Sequence, residues 1–388
     1  MNGTHAATPS AAGLAEAVHA AAHRRRERMI ADLAELTDLD APSGDADALE
    51  VVASRVAGML EREGAGARVH PGSAGPHLEA RFGPNTKAGS MVLCHYDTVW
   101  PRGTTAEWSF QLRDGRATGP GVFDMRAGIV AAFAALSILR ELDAVARPVT
   151  VLLTADEETG ANTSRELILE LGRTASFTLV PEPPLPGGAL KTSRRGCATY
   201  RLAVRGRSAH AGLDPGAGVS AIDELVDQLV AVRDIADPDR GTALNVGVLR
   251  GGTVANSVAE AAEADVDVRV ATLEEEERVR AAIAALRARR PGAKVSAREL
   301  QSRPPMERTD AIALVAARAH EIGARLGLVL EEGYAGGASD GCLLAAEGLP
   351  VLDGLGPEGG GAHAAAEWVS VDSMVDRAAL YALLLAEL

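Results

Sequence analysis

Apolar positions along the chain recur with two different periods. Over residues 15–39 they follow the three-and-four spacing of an amphipathic helix, with the basic run 24–28 expected on its exposed face. Residues 41–44 (APSG) read as a turn, and 45–63 as a second helix ending at Gly64. Residues 1–12 read as a disordered tail. The pattern then changes. Residues 90–93, 149–153, 178–180 and 350–352 are short apolar runs closing on polar residues, as expected of strands buried on both faces. Helical stretches at 128–142 and 163–171 lie between them. Strands alternating with helices predict an α/β fold with a mixed, largely parallel sheet.

The middle of the chain differs. Residues 199–205 alternate as a strand, 218–234 form a helix, and 243–249 and 264–270 are strands separated by a Gly-Gly turn. A charged helix over 274–290 and a strand over 294–300 follow. The order β-α-β-β-α-β across 194–302 is that of a ferredoxin-like split unit. A first domain over 13–193 and 303–388, interrupted by a second over 194–302, is the organisation expected.

Composition narrows the function. Of the 388 residues, 47% are hydrophobic and 24% charged, ordinary values for a globular chain. Aromatics make up 3%, so the core must be built from Ala, Val, Leu and Ile, and base-stacking platforms are scarce. The net charge of −14 argues further against nucleic acid and against anionic membranes. No apolar run reaches the ~18 residues of a membrane span. The most apolar helix, 128–139, is bounded by Arg126 and Arg140. The basic cluster 24–26 follows the Ala-rich N-terminal stretch instead of preceding it, unlike a signal peptide. Three scattered cysteines (Cys94, Cys197, Cys342) make neither a disulfide framework nor a CxxC metal site, so a cytoplasmic location is expected.

Metal-competent residues stand just after the apolar runs, where open α/β sheets bind ligands. In VLCHYDTVWP, His95 and Asp97 are two apart. Asp97 is placed to orient a metal-binding His95, although a hydrogen-bonded turn histidine has the same pattern. Asp124 lies in the Gly-rich GPGVFDMRAG just before a helix, where a capping aspartate is the plainer reading. TADEETG sets Asp156, Glu157 and Glu158 side by side, and such neighbours repel unless a cation or proton separates them. Glu182 follows another apolar run in LVPEPP, and His363 ends the glycine-rich stretch GPEGGGAH. Together these supply two histidines and several carboxylates at the ends of separate strands, the ligand set of a two-metal hydrolase. Such mixed ligands suit zinc, with Mn2+ or Co2+ as alternatives. Two decoys are set aside. Gly354, Gly356 and Gly359 match G-x-G-x-x-G, but too little chain follows for a dinucleotide fold. Cys94 lies inside a strand run and is expected to be buried and inert.

From about residue 28 to the C-terminus, the order and spacing of HYDTVWP, GPGVFDMRAG, TADEETG, PEP, GRSAHAG, NVGVLRGGTVANSV, GGASDG and GGGAH resemble the M20 family of metallopeptidases, above all its glutamate carboxypeptidase subfamily. The resemblance implies a zinc-peptidase-type catalytic domain interrupted by a lid and dimerisation domain, with two Zn2+ per chain. Asp124 would bridge both ions. His95 and Glu182 would complete one ligand set, and Glu158 and His363 the other. Asp97 would orient His95, and Glu157 would be the general base. A cis peptide would follow Asp124. His210 would reach into the partner subunit of a homodimer and polarise the scissile carbonyl, with Asn256 supporting substrate in the same way. Arg269 sits on a strand where an unpaired charge is costly, so it either pairs or binds a substrate carboxylate. Arg303 is a second carboxylate candidate, and Gly337 is expected to line the cleft, with Asp340 either there or structural. The chain departs from the family pattern at Arg126 and Ala127, where Lys and Gly are usual.

The activity implied is hydrolysis of an amide next to a free carboxylate, in a small peptide or N-acyl amino acid. A carboxypeptidase releasing a C-terminal residue, glutamate among the candidates, leads. An N-acyl-amino-acid deacylase is the alternative. A non-catalytic ligand-binding relative would lack a ligand or the base, and none is missing.

Overall fold

The computed structural model describes residues 11–84 and 89–388. Most of the tail expected over 1–12 lies outside them, but Ala11 and Ala12 already belong to a helix. The chain divides into two compact units. The first comprises residues 1–192, 308–334 and 339–388, and the second 193–307 with 335–338.

The first unit is built on a six-stranded sheet. Its strands lie in the order Arg68–His70, His77–Phe82, Val149–Thr154, Gly89–His95, Ala175–Leu179 and Val351–Leu352. The last four run parallel, while the first two pair antiparallel at one edge. Gly89–His95 and Val149–Thr154 are buried almost throughout, which explains their unbroken apolar runs. Helix Ala127–Glu141 is buried on nearly every turn and packs against helix Val371–Glu387; helices Ala11–Arg24, Arg26–Thr37 and Asp310–Arg325 surround that pair. With the turn before it, the central helix makes an apolar stretch, Val122–Glu141, that would cross a membrane by length and composition alone. The sequence reading missed its length; most of it is buried inside the fold.

The single helix expected over 15–39 is two, broken at Arg25. Nor does the basic run lie wholly on an exposed face. The Arg25 side chain is 17% exposed, pairs with Glu141 at 2.5 Å and donates to Ser137 Oγ at 3.2 Å.

In the second unit an antiparallel sheet has the order Ala243–Gly251, Ala261–Val270, Gly196–Arg205, Lys294–Arg303. The two central strands alternate buried and half-buried residues, so one face is covered. Helices Ala221–Arg233 and Leu273–Ala284 complete the β-α-β-β-α-β order. The second helix stops at Ala284, short of the expected 290. The following turn is fixed instead by Glu224, whose buried carboxylate accepts from Arg289 N (2.9 Å) and Arg290 N (2.7 Å). The last strand runs to Arg303, beyond the expected 300. Arg194 and Met306 hydrogen-bond in both directions, at 2.9 and 3.0 Å. Residues 335–338 join this unit because Arg195 N donates to Ala335 O, and Arg194 Nη1 to the carbonyls of Gly337 and Ala338.

Candidate metal centre

Parallel neighbours bring their carboxyl ends to one edge of a sheet. His95 ends strand Gly89–His95 and stands in register with Thr154 on the next strand. Glu157 and Glu158 follow Thr154 in a short 3-10 turn, and Glu182 follows strand Ala175–Leu179. Asp124 lies in the turn before helix Ala127–Glu141, and the Asp124–Met125 peptide is cis. Close backbone approach sets the Glu182 loop. A Cβ on Gly128 would stand 2.0 Å from Pro181 O, and Gly356 N donates to Glu182 O at 2.8 Å. His363 has left-handed backbone, φ 61°, which turns its ring towards the carboxylates.

The side chains form two groups that share Asp124. His95, Asp124 and Glu182 have donor atoms within 4.8 Å of one another, as do Asp124, Glu158 and His363. His95 Nε2 lies 3.2 Å from Asp124 Oδ1 and 3.5 Å from Glu182 Oε1. His363 Nε2 lies 3.5 Å from Asp124 Oδ2 and 3.1 Å from Glu158 Oε1. Each Asp124 oxygen thus faces its own imidazole. His95, Glu157 and Glu158 form a further overlapping group.

Asp97, Asp124, Glu157, Glu158 and Glu182 crowd around two imidazoles. Burial works against a charged His95, but Asp124, Asp97 and Glu182 outweigh it and hold its pKa well above the ordinary range. Hydrogen bonds to the Asp124 and Glu158 carboxylates push His363 up to about 10. Burial, with Asp124 adding to it, raises Glu158. Five carboxylates against two imidazoles is a buried excess of acidic groups, an arrangement that a bound cation would relieve. Nitrogen and oxygen donors in two triplets around a shared carboxylate fit a pair of divalent ions.

The supports are as informative as the donors. His95 Nδ1 is 3.0 Å from the Asp97 carbonyl and 3.5 Å from its carboxylate, so with Nδ1 donating there, Nε2 is the nitrogen that would take an ion between Asp124 and Glu182. The Asp97 carboxylate accepts from Ser43 Oγ (2.7 Å) and from the backbone of Glu157 and Glu158 (3.2 Å each), fixing the acidic turn. Asp156, expected beside Glu157 and Glu158, turns away and accepts from Thr163 N, Thr163 Oγ1 and Ser164 Oγ. Asp340 is buried and accepts from Thr154 Oγ1 at 3.1 Å, the structural one of its two expected roles. Arg126 is buried and donates to the carbonyls of Leu39 and Pro120, while desolvation lowers its pKa to about 10. Cys94 is buried, and burial pushes its thiol up.

Glu367 was missed by sequence reasoning. It is 1% exposed. Its Oε1 accepts from Phe123 N (2.8 Å) and Asp124 N (3.0 Å), and its Oε2 from Gly121 N (2.9 Å) and Trp100 Nε1 (3.1 Å). One carboxylate therefore pins the loop that carries Asp124. The available signal was an acid four residues beyond His363 in an otherwise Ala-rich run.

His210, Asn256, Arg269, Arg303 and Gly337 all belong to the second compact unit. His210 is exposed, and its Nδ1 accepts from Gly212 N and Leu213 N at 3.1 Å each. With Nδ1 accepting, the proton of the neutral ring sits on Nε2, which is left as an outward donor. The Asn256 carbonyl accepts from Ala211 N at 2.9 Å, next to His210. Arg269 pairs with Asp267 at 2.9 Å. Arg303 is buried at the end of its strand, opposite Cys197. Gly337 is held through its carbonyl by Arg194.

The sequence profile of peptidase family M20/M25/M40 matches residues 91–387. Carboxypeptidase G2 of Pseudomonas sp. (strain RS-16) is 28% identical over 95% of this chain and 91% of its own length. Acetylornithine deacetylase of Proteus mirabilis is 29% identical over 50% of this chain and 52% of its own. Among solved structures, the M20 family metallo-carboxypeptidase Sso-CP2 from Sulfolobus solfataricus superposes with a TM-score of 0.72, covering 92% of this chain and 98% of that one. Its identity of 14% makes this a likeness of fold. With a profile match across most of its length, the chain belongs to peptidase family M20/M25/M40.

Proposed function

We propose that this hydrolase is a two-metal enzyme that cleaves an amide bond next to a free carboxylate and releases a C-terminal amino acid. The observation that carries the reading is Asp124, with one oxygen towards His95 and the other towards His363. His95, Asp124 and Glu182 would hold one ion, and Asp124, Glu158 and His363 the other. Zinc suits these donors best, with Co2+ or Mn2+ as alternatives. When bound, such a pair polarises the scissile carbonyl and lowers the pKa of a water. Glu157 takes a proton from the attacking water onto a carboxylate oxygen. It then delivers that proton to the amide nitrogen as the C–N bond breaks, and the water oxygen stays in the new carboxylate. Asp97 keeps the His95 ring and the Glu157 backbone in place throughout.

The second unit would complete the site of the partner subunit in a homodimer. His210 offers Nε2–H to the carbonyl oxygen as charge develops there, and Asn256 supports the substrate beside it. The helix Ala221–Arg233 leaves Ile222, Val226 and Val230 exposed at four-residue spacing, and it packs against the edge strand Ala243–Gly251, whose Leu249 is also exposed. That apolar stripe is consistent with a second copy covering it. Arg303, Gly337 and an Arg269 shared with Asp267 are the candidates for the substrate's carboxylate. Lys191, a basic residue shortly after the PEP motif and so a candidate for a glutamate side chain, is buried with its backbone paired to Asp353, and glutamate preference rests on the resemblance alone. The likeness to acetylornithine deacetylase keeps an N-acyl-amino-acid deacylase as the second reading. Cys94, Cys197 and Cys342 form no disulfide among the described residues, in keeping with the cytoplasmic location expected.

A panel of peptides and N-acyl amino acids, including acyl-glutamates, tests the proposal. Hydrolysis should require the free carboxylate, vanish with a chelator and return with Zn2+. No turnover across the panel, with ions demonstrably bound, would overturn it. Whether peptidyl or short acyl donors are preferred decides between the two readings. The shared site has its own test. Mixing inactive His210→Ala and Glu157→Ala chains should recover up to about a quarter of wild-type activity, because each mixed dimer regains one intact site. No recovery in proven mixed dimers refutes sharing.

A further inference from the structure

Apart from the groups around Asp124, the described residues bring one other set of metal-competent donors together: His19 and His23 on helix Ala11–Arg24, and Asp376 on helix Val371–Glu387. We propose that these three hold an additional divalent transition-metal ion, zinc by preference, which clips the first helix to the last.

Residues four apart on a helix share one face, and two histidines at that spacing are a recurrent zinc-binding pair. Here the intervening residues are three alanines, so nothing bulky stands between the rings. The Nε2 atoms of His19 and His23 lie 3.2 Å apart, with ring centroids at 4.5 Å and planes at 63°. Two nitrogens bound to one tetrahedral zinc at ~2.0–2.1 Å stand about 3.3–3.4 Å from each other. The rings therefore already hold nearly the separation that coordination needs. One ring nitrogen of each histidine and a carboxylate oxygen of Asp376 lie within 4.8 Å of one another, so an ion between the three needs only small side-chain movements.

Charge points the same way. Asp376 is half-buried, and among the described residues no Lys or Arg forms a salt bridge with it; Arg26, from the neighbouring helix, pairs with Asp372 instead. Two neutral imidazoles and one carboxylate carry a single negative charge, which a divalent ion reverses to a single positive one. Both rings would coordinate through the Nε2 lone pair and keep their protons on Nδ1. That replaces the present contact, in which one Nε2 can only donate to the other. Three protein donors leave a fourth position for water. Ala20 occupies the place that glutamate takes in the H-E-x-x-H motif of zinc proteases, so the site has no base and its role is structural.

Helices Ala11–Arg24 and Val371–Glu387 already pack together, and Val18, Ala22 and Val375 are buried in the core they share. An ion bound only by the folded state adds to that packing by mass action.

The test is metal content. Wild type and the His19→Ala/His23→Ala double variant are stripped, re-equilibrated with the same free Zn2+ and dialysed. Wild type should keep one more ion per chain, and Asp376→Asn should lose that same ion. Zinc should also raise the wild-type Tm by more than it raises that of the double variant. Both chains retain the Asp124 centre, so the difference between them is read independently of what that centre binds. Equal zinc content in wild type and the double variant overturns the proposal. The replaced histidines lie on the outer part of their helix, and circular dichroism of the double variant verifies that the helix is intact.

Discussion

Glu157→Gln is expected to lower kcat by about 10²–10⁴-fold while KM and metal content stay near wild type. Glutamine preserves the shape and the backbone N–H that donates to Asp97 Oδ1 at 3.2 Å, so the turn should hold. What it loses is the ability to take up a proton. Glu157 is 7% exposed and stands in one group with His95 and Glu158, yet it belongs to neither of the triplets centred on Asp124. That separation from the two triplets is why we propose it for proton transfer instead of coordination. Steady-state kinetics together with elemental analysis check the assignment. If the variant loses an ion, Glu157 is a ligand and the base must be sought elsewhere.

Glu367→Ala should be the most damaging change outside the donors themselves. It leaves four N–H groups, three of them backbone donors of the Asp124 loop, without their acceptor. Buried donors without partners cost ~1–3 kcal/mol each, and with water refilling part of the gap a loss of about 4 kcal/mol is expected. Glu367→Gln should be nearly as harmful despite its shape. Each carboxylate oxygen accepts two hydrogen bonds, so whichever way the amide is turned its NH2 faces two donors. Urea melts measure the stability. Titration with Zn2+ should show weakened binding, because the backbone of Asp124 is no longer fixed. Wild-type metal affinity in a folded Glu367→Gln chain would show that this carboxylate does not position the centre.

The strands of the main sheet were legible because burial on both faces leaves an unbroken apolar run, as in residues 90–93 and 149–153. Those of the second unit were legible through strict alternation, as in 199–205. Elements too short to show a period left no such trace. Gln111–Arg113, Arg116–Thr118, Gly359–Gly360 and Trp368–Ser370 form a small sheet of two- and three-residue strands whose register only the folded chain defines. Long-range partners were equally hidden. Arg25 looked like a surface charge because Glu141, which draws it inward, is far away in sequence. The helix after Thr272 looked longer because nothing local says that Glu224 will capture the amides of residues 289 and 290. Within the centre, His95, Asp124, Glu158, Glu182 and His363 could be picked out by their places after strands and glycines, and the fold does bring them together. Apart from Asp97, their supports could not. Ser43, Asp156 and Glu367 have ordinary local sequences, and what they do depends on which backbone amides the fold places against them.

The hydrogen bonds between Arg194 and Met306 mean that the inserted unit begins and ends at one point. Once that unit has folded, its host no longer has to close a loop spanning residues 193–307. It closes a gap of a few residues, and the entropy of closure falls by about 3 kcal/mol. Strand Leu190–Arg194 and helix Asp310–Arg325, distant along the chain, become neighbours in the search for native contacts. For the folding of the domain it interrupts, the insertion acts as a tight turn.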